Sequence, residues 1–135
     1  MVGRSVEVDD ETNQISEQVI GAAIEVHRQL GPGHKEVVYE EALAYELRLR
    51  GVAFERQKPV KILYKQHLCG DSQLDLVVAG KVVVELKAVE KLHPQHSAQC
   101  RSYLVATGLQ LGLVLNFNAP RLIDGLDRVI ETRHA

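Results

Sequence analysis

Apolar residues recur along this chain with two periods, one helical and one of strands. From Ile15 to Leu30 the positions Val19, Ala22, Ala23, Val26 and Leu30 keep helical spacing. Gly31-Pro32-Gly33 ends that helix, because Pro cannot continue it and Gly accepts the turn that follows. A second helix is predicted from about His34 to Arg50, with Val38, Ala42, Tyr45 and Leu49 on one stripe and Gly51 as its stop. A second stripe on the same helix reads Glu36, Tyr39, Glu40, Leu43 and Leu47. Phe54 to Leu63 is extended but carries Pro59, so it is bent or lies at an edge. His67 to Ser72 reads as a loop, Leu74 to Lys87 as a hairpin, and Pro94 to Thr107 as a helix with Pro near its first turn. Leu109 to Phe117, with its apolar run around Leu111 to Leu115, reads as a buried strand, Asn116 to Pro120 is a turn, and Leu122 to Ile130 is a mixed tail. This order predicts an α/β (mixed α+β) fold, with helices flanking a central mixed sheet.

Residues 1–14 are acidic and polar and read as a loose arm, leaving residues 15–135 as one domain. The formal net charge is −2, and 45% of the residues are hydrophobic. This is an ordinary globular balance without the footprint of a protein that coats nucleic acid. Two cysteines, Cys69 and Cys100, make no disulfide scaffold. The polar N-terminus lacks a signal-length apolar segment, and the run around Leu111 to Leu115 is far too short to span a bilayer. A cytoplasmic protein without membrane association is the expectation.

Candidate chemistry centres on the hairpin LDLVVAGKVVVELK. Asp75, Glu85 and Lys87 are charged residues inside apolar strands, where each charge needs a partner, water or a metal ion. Glu85 and Lys87, two apart, share a face. A two-residue turn at Ala79-Gly80 sets Asp75 on the other face. A three-residue turn, Val78-Ala79-Gly80, with Gly80 left-handed, pairs Val77 with Lys81 and Asp75 with Val83 and brings all three charges together. It leaves Leu74, Leu76, Val82, Val84 and Leu86 as a core face.

Two helices add to this set. Glu36 stands in a first turn, where the helix dipole favours a carboxylate whether or not it has a further role. His96, Gln99 and Tyr103 form one polar stripe directly after the Glu-x-Lys strand, which an ordinary solvent face would also explain. Converging, the three carboxylates and one lysine balance one divalent cation. Oxygen ligands suit Mg²⁺ held against a phosphate. A structural ion pair at a cleft edge is the other reading of the strand residues. His93, His96, Cys100, His67 and Cys69 lack zinc-ligand spacing, Gly31-Pro32-Gly33 is not followed by the Gly-Lys-Ser/Thr of a phosphate loop, and Cys100 has no evident base.

Gly33-His34-Lys35-Glu36-Val37-Val38-Tyr39 resembles the signature of the GxxExxY protein family, in the PD-(D/E)XK nuclease superfamily. The resemblance runs from about Ile15 to Arg128. It includes the HxxLGPG run from His27 to Gly33, ELKA at Glu85 to Ala88, and Gln99-x-x-x-Tyr103, which is similar to the QxxxY element of RecB-like nucleases. Leu74, where the motif has Pro, precedes Asp75.

The resemblance implies a restriction-endonuclease-like core and a nuclease using Mg²⁺ or Mn²⁺. Asp75 and Glu85 would be metal ligands, Glu36 the acid supplied by the helix, and Lys87 the catalytic lysine. Gln99 and Tyr103, with His96 beside them, would contact or support the substrate. Nucleic acid, DNA before RNA, is then the implied partner, with a homodimer as a possible state. The competing expectation is a catalytically inactive nucleic-acid or protein-binding module that keeps the fold. A zinc-stabilised structural protein is a further rival.

Overall fold

The computed structural model describes residues 8–131. Helix α1 (Asp10–Leu30) starts five residues before the expected Ile15, because Asp9 caps it by accepting the Thr12 N–H and Asp10 and Glu11 fill its first turn. The rest of the expected arm, residues 1–7, lies outside the described residues. Helix α2 (Glu36–Leu49) follows the Gly31-Pro32-Gly33 turn. That turn is held by Tyr39, whose hydroxyl donates to the Gly31 carbonyl and accepts from the His34 N–H.

Five strands form one sheet in the order β1 (Phe54–Tyr64), β2 (His67–Val78), β3 (Val82–Lys87), β4 (Leu111–Asn116), β5 (Leu126–Ile130). Only β3 and β4 are parallel, and helix α3 (Pro94–Thr107) makes the crossover between them. The expected loop at His67 to Ser72 is the outer half of β2, where exposed polar residues pair with β1 beyond the main core. The mixed tail resolves into a short 3-10 turn (Leu122–Gly125) and β5, an edge strand whose pairing with β4 is entirely non-local.

The sheet separates two cores. Val19, Ala22, Ala23 and Val26 of α1 and Tyr39, Leu43 and Leu47 of α2 pack on Leu76, Val82, Val84, Leu86 and the odd-numbered positions Leu111, Leu113 and Leu115 of β4. On the other face Cys100, Tyr103 and Leu104 of α3 cover Val60, Leu74, Val77, Val83 and Val114. The stripe expected to bury α2 faces outward: Val38, Tyr45 and Leu49 are exposed, while the stripe containing Glu40 is buried. The purely apolar stripe loses because the charge of Glu40 is satisfied by groups far away in sequence.

The β2/β3 turn spans Ala79-Gly80-Lys81, one residue later than expected, and pairs Val78 with Val82 and Leu76 with Val84. Continued by one step, this register sets Asp75 across from Glu85 instead of Val83. Ala79 and Gly80 both have positive φ, 54° and 66°. An Ala there carries a Cβ penalty that Gly escapes. Ala79→Gly is therefore expected to raise stability by about 0.5–1 kcal/mol, read as a higher urea midpoint at unchanged slope.

Leu74 also departs from the expected face. It packs with Val77 under α3, although Leu76, two residues on, packs under α1 and α2. The strand pair turns over between them. Gln57 and Asp75 are skipped in the β1/β2 pairing, and Gln57 has φ 48°. The even-numbered positions of β2 thus lie beneath α3 at Leu74 and beneath α1 and α2 at Leu76 and Val78, with Asp75 at the pivot.

Candidate active site

At this pivot the β2/β3 ladder stops and side chains take over its hydrogen bonds. The Asp75 N–H donates to Glu85 Oε2 at 3.0 Å, and the Leu86 N–H donates to Asp75 Oδ2 at 2.8 Å. Each carboxylate therefore closes a gap in the sheet with one oxygen. Burial pushes the Glu85 carboxyl up to about 8, and the Asp75 charge pushes the same way; the Asp75 N–H and Lys87 act against it. Asp75 is also raised, first by burial and then by Glu40 and Glu36, against the Leu86 N–H and Lys87. Lys87 ends β3, is half-buried, and its Nζ forms no hydrogen bond or ion pair among the described residues.

Glu36 is exposed in the first turn of α2, where its charge reaches Asp75, Glu85 and His96. It does not close up on the strand acids: among the described residues no group of three His, Cys, Asp or Glu side chains is gathered to hold a metal ion. His96 lies in the first turn of α3. Its Nδ1 accepts the His93 N–H at 3.1 Å, so the neutral ring carries its proton on Nε2. Burial holds its pKa below the usual histidine range, with Lys87 and His93 acting in the same sense.

The other two residues of the polar stripe part company. Gln99 is exposed, whereas Tyr103 is buried with its hydroxyl 2.9 Å from Ser72 Oγ, tying α3 to the outer half of β2. His27 is engaged elsewhere: its Nε2 meets the Ala119 carbonyl at 2.8 Å. Cys100 is packed on Gly112 and burial pushes its thiol up to about 12, which removes it as a nucleophile.

Two residues without an assigned role in the sequence reading belong to this region. Buried Glu40 accepts from Arg56 Nε at 3.1 Å and Gln57 Nε2 at 2.8 Å. Adjacent residues of a regular strand point to opposite faces. Arg56 and Gln57 reach the same carboxylate because of the positive φ at Gln57, so Glu40 pins the reversal that carries Asp75. The available signal was an acid four residues after Glu36 on the stripe of Tyr39.

Asn116, which ends an otherwise apolar strand, grips Val89 through both its N–H and its carbonyl and fixes the chain just after Lys87. For Glu40→Ala we expect a loss of about 1–3 kcal/mol of stability, since Arg56 can still turn to solvent. Glu40→Gln, which keeps an acceptor, should lose less. Thermal melts of the two variants measure the difference.

The oxygens left to Asp75 and Glu85 suit a hard divalent cation, which is commonly held by one or two carboxylates together with waters and a substrate phosphate. Residues 13–129 match the family model described as the PD-(D/E)XK nuclease superfamily. Comparison with curated proteins gives no match, and neither does comparison with solved structures.

Proposed function

Because the chain belongs to the PD-(D/E)XK nuclease superfamily, we propose that it is a divalent-metal-dependent nuclease of the GxxExxY type, hydrolysing phosphodiester bonds in nucleic acid. The observation that carries this reading is the meeting of Asp75 and Glu85 across the opened β2/β3 pair, with Lys87 two residues beyond Glu85.

Asp75 and Glu85 hold Mg²⁺ or Mn²⁺ through the oxygens not used by backbone N–H groups, and Glu36 adds negative charge from α2. When bound, the metal lowers the pKa of a water and neutralises charge growing on the phosphate. Lys87, free of other partners, orients the attacking water and stabilises the pentavalent oxyanion. His96 offers an Nε2–H donor at the mouth of the site, and exposed Gln99 a further contact to the strand. Tyr103 supports both by fixing α3. DNA is the first substrate to test, and a homodimer is a compatible assembly. Among the described residues no helix is long and apolar enough to cross a membrane, and cytoplasmic action fits that reading.

The test is cleavage of labelled DNA and RNA, single- and double-stranded, in Mg²⁺, Mn²⁺ or EDTA. Asp75→Asn should run beside the wild type, because Asn keeps an acceptor for the Leu86 N–H. Metal-dependent cutting that disappears in the variant is the expected result. Intact protein that cuts nothing in any metal would leave a binding module on a nuclease fold.

A further inference from the structure

We propose that the groove between the outer half of β1 and α3 receives an unpaired nucleotide of the substrate strand, next to the site of cleavage. The proposal rests on the nuclease reading and adds strandedness to it. The groove has a volume of about 610 Å³, and its walls include Lys61, Ile62 and Leu63 from β1 and Arg101, Ser102 and Val105 from α3.

Among the described residues its lining includes two cations and no acid. Lys61 has Asp71 opposite it in the hairpin, but neither Lys61 nor Arg101 forms an ion pair among the described residues. The apolar side chains are left open to solvent, Leu63 at 57% and Val105 at 45%. The Tyr103–Ser72 hydrogen bond and the packing of Val60 and Leu74 under α3 hold the two walls at a fixed separation.

Position ties this groove to the catalytic groups. His96, one turn into α3, feels the charge of Lys87. Arg101 is five residues further on, roughly 7.5 Å along the helix axis and about 140° round it. A strand running from the catalytic groups to the groove therefore passes round α3 over at least about two nucleotide steps. A guanidinium and an ammonium take phosphate, and aliphatic walls hold an unstacked base by van der Waals contact.

A base is free to enter only when it is unpaired, since a continuous duplex shows its grooves and backbone and keeps its base planes stacked inside. A protein partner fits less well. A stable protein interface covers about 800 Å² on each side, and the apolar surface here is a short groove with cations at its edge.

The experiment measures anisotropy of a fluorescent oligothymidylate, and of a duplex of equal length, with the full chain in EDTA, where nothing is cut. Arg101→Glu, Lys61→Glu and Val105→Asp are compared with Arg28→Glu on α1, each checked by its melting curve. The single strand should bind at least about tenfold tighter than the duplex. Each groove variant should lose about tenfold, or about 1.4 kcal/mol, while Arg28→Glu keeps wild-type affinity.

Equal affinity for duplex and single strand overturns the proposal, as do groove substitutions without effect. A change in sedimentation in place of nucleic-acid affinity also overturns it and makes the groove an interface between copies. Binding that depends on Arg101, in a protein that cuts no substrate in any metal, upholds the groove and rejects the nuclease. Cutting of a single strand with unchanged KM in Arg101→Glu upholds the nuclease and rejects the groove.

Discussion

Lys87→Ala is expected to lower metal-dependent cleavage by about 10²–10³-fold, the scale of losing one oriented cationic donor at a developing oxyanion. Its unfolding free energy should change by no more than about 1 kcal/mol. Folding is spared because the side chain is half-exposed and makes no hydrogen bond or ion pair among the described residues. Its structural contribution is the backbone carbonyl that accepts the Phe117 N–H at 2.9 Å, and Ala keeps it. Single-turnover cleavage at saturating substrate, paired with a circular-dichroism melt, separates chemistry from folding. Wild-type turnover in this variant would remove Lys87 from the mechanism.

The second large effect is a stability that falls as pH rises in the absence of metal. The Glu85 carboxyl has a folded-state pKa of about 8 against an ordinary value of 4.5, so between those limits the folded chain keeps a proton that the unfolded chain has released. More protons bound in the folded state give a negative slope of unfolding free energy with pH. The contribution is fully present below about pH 4.5 and is lost as pH climbs through 8, on the order of a few kcal/mol in all. Urea melts in EDTA from pH 6 to 9 should show it, and Glu85→Gln, neutral throughout, should flatten the slope.

Metal binding must expel the same proton. Affinity for Mn²⁺ is therefore expected to rise about tenfold per pH unit up to about pH 8 and then level. Proton release, measured calorimetrically in buffers of different ionisation enthalpy, checks this. An affinity independent of pH across that window would mean that Glu85 is ionised before metal arrives.

Helices α1 and α3 and strand β4 were legible in the sequence because their burial follows from local period alone. Helix α2 was not, because two stripes competed and the winner contains Glu40, whose partners Arg56 and Gln57 lie 16 and 17 residues away. Alternation also hid the reversal at Gln57 and Asp75. Phe54 and Val60 on one strand, and Leu76 and Leu74 on the other, share even parity yet pack in different cores, so parity gives no sign of the change of face. The hairpin itself was legible but its register was not, since a positive φ at Ala79 as well as at Gly80 shifts the turn by one residue. Of the stripe His96, Gln99 and Tyr103, spacing showed the shared direction but not the depth, which Ser72 settles for Tyr103.

The two acids at the opened strands also have a consequence for how relatives of this chain would change over time. Asp75 and Glu85 each replace a missing rung between β2 and β3, so the fold itself selects for an acceptor oxygen at both positions. A lineage that gave up cleavage would still suffer in folding if either acceptor were lost, so an acid or its amide would outlast the activity at both positions. Lys87 has no such second employment. On the proposed mechanism its side chain is free to drift once chemistry is abandoned, so the lysine, not the acceptor pair, would be the position that separates a cleaving member of this lineage from a non-cleaving one.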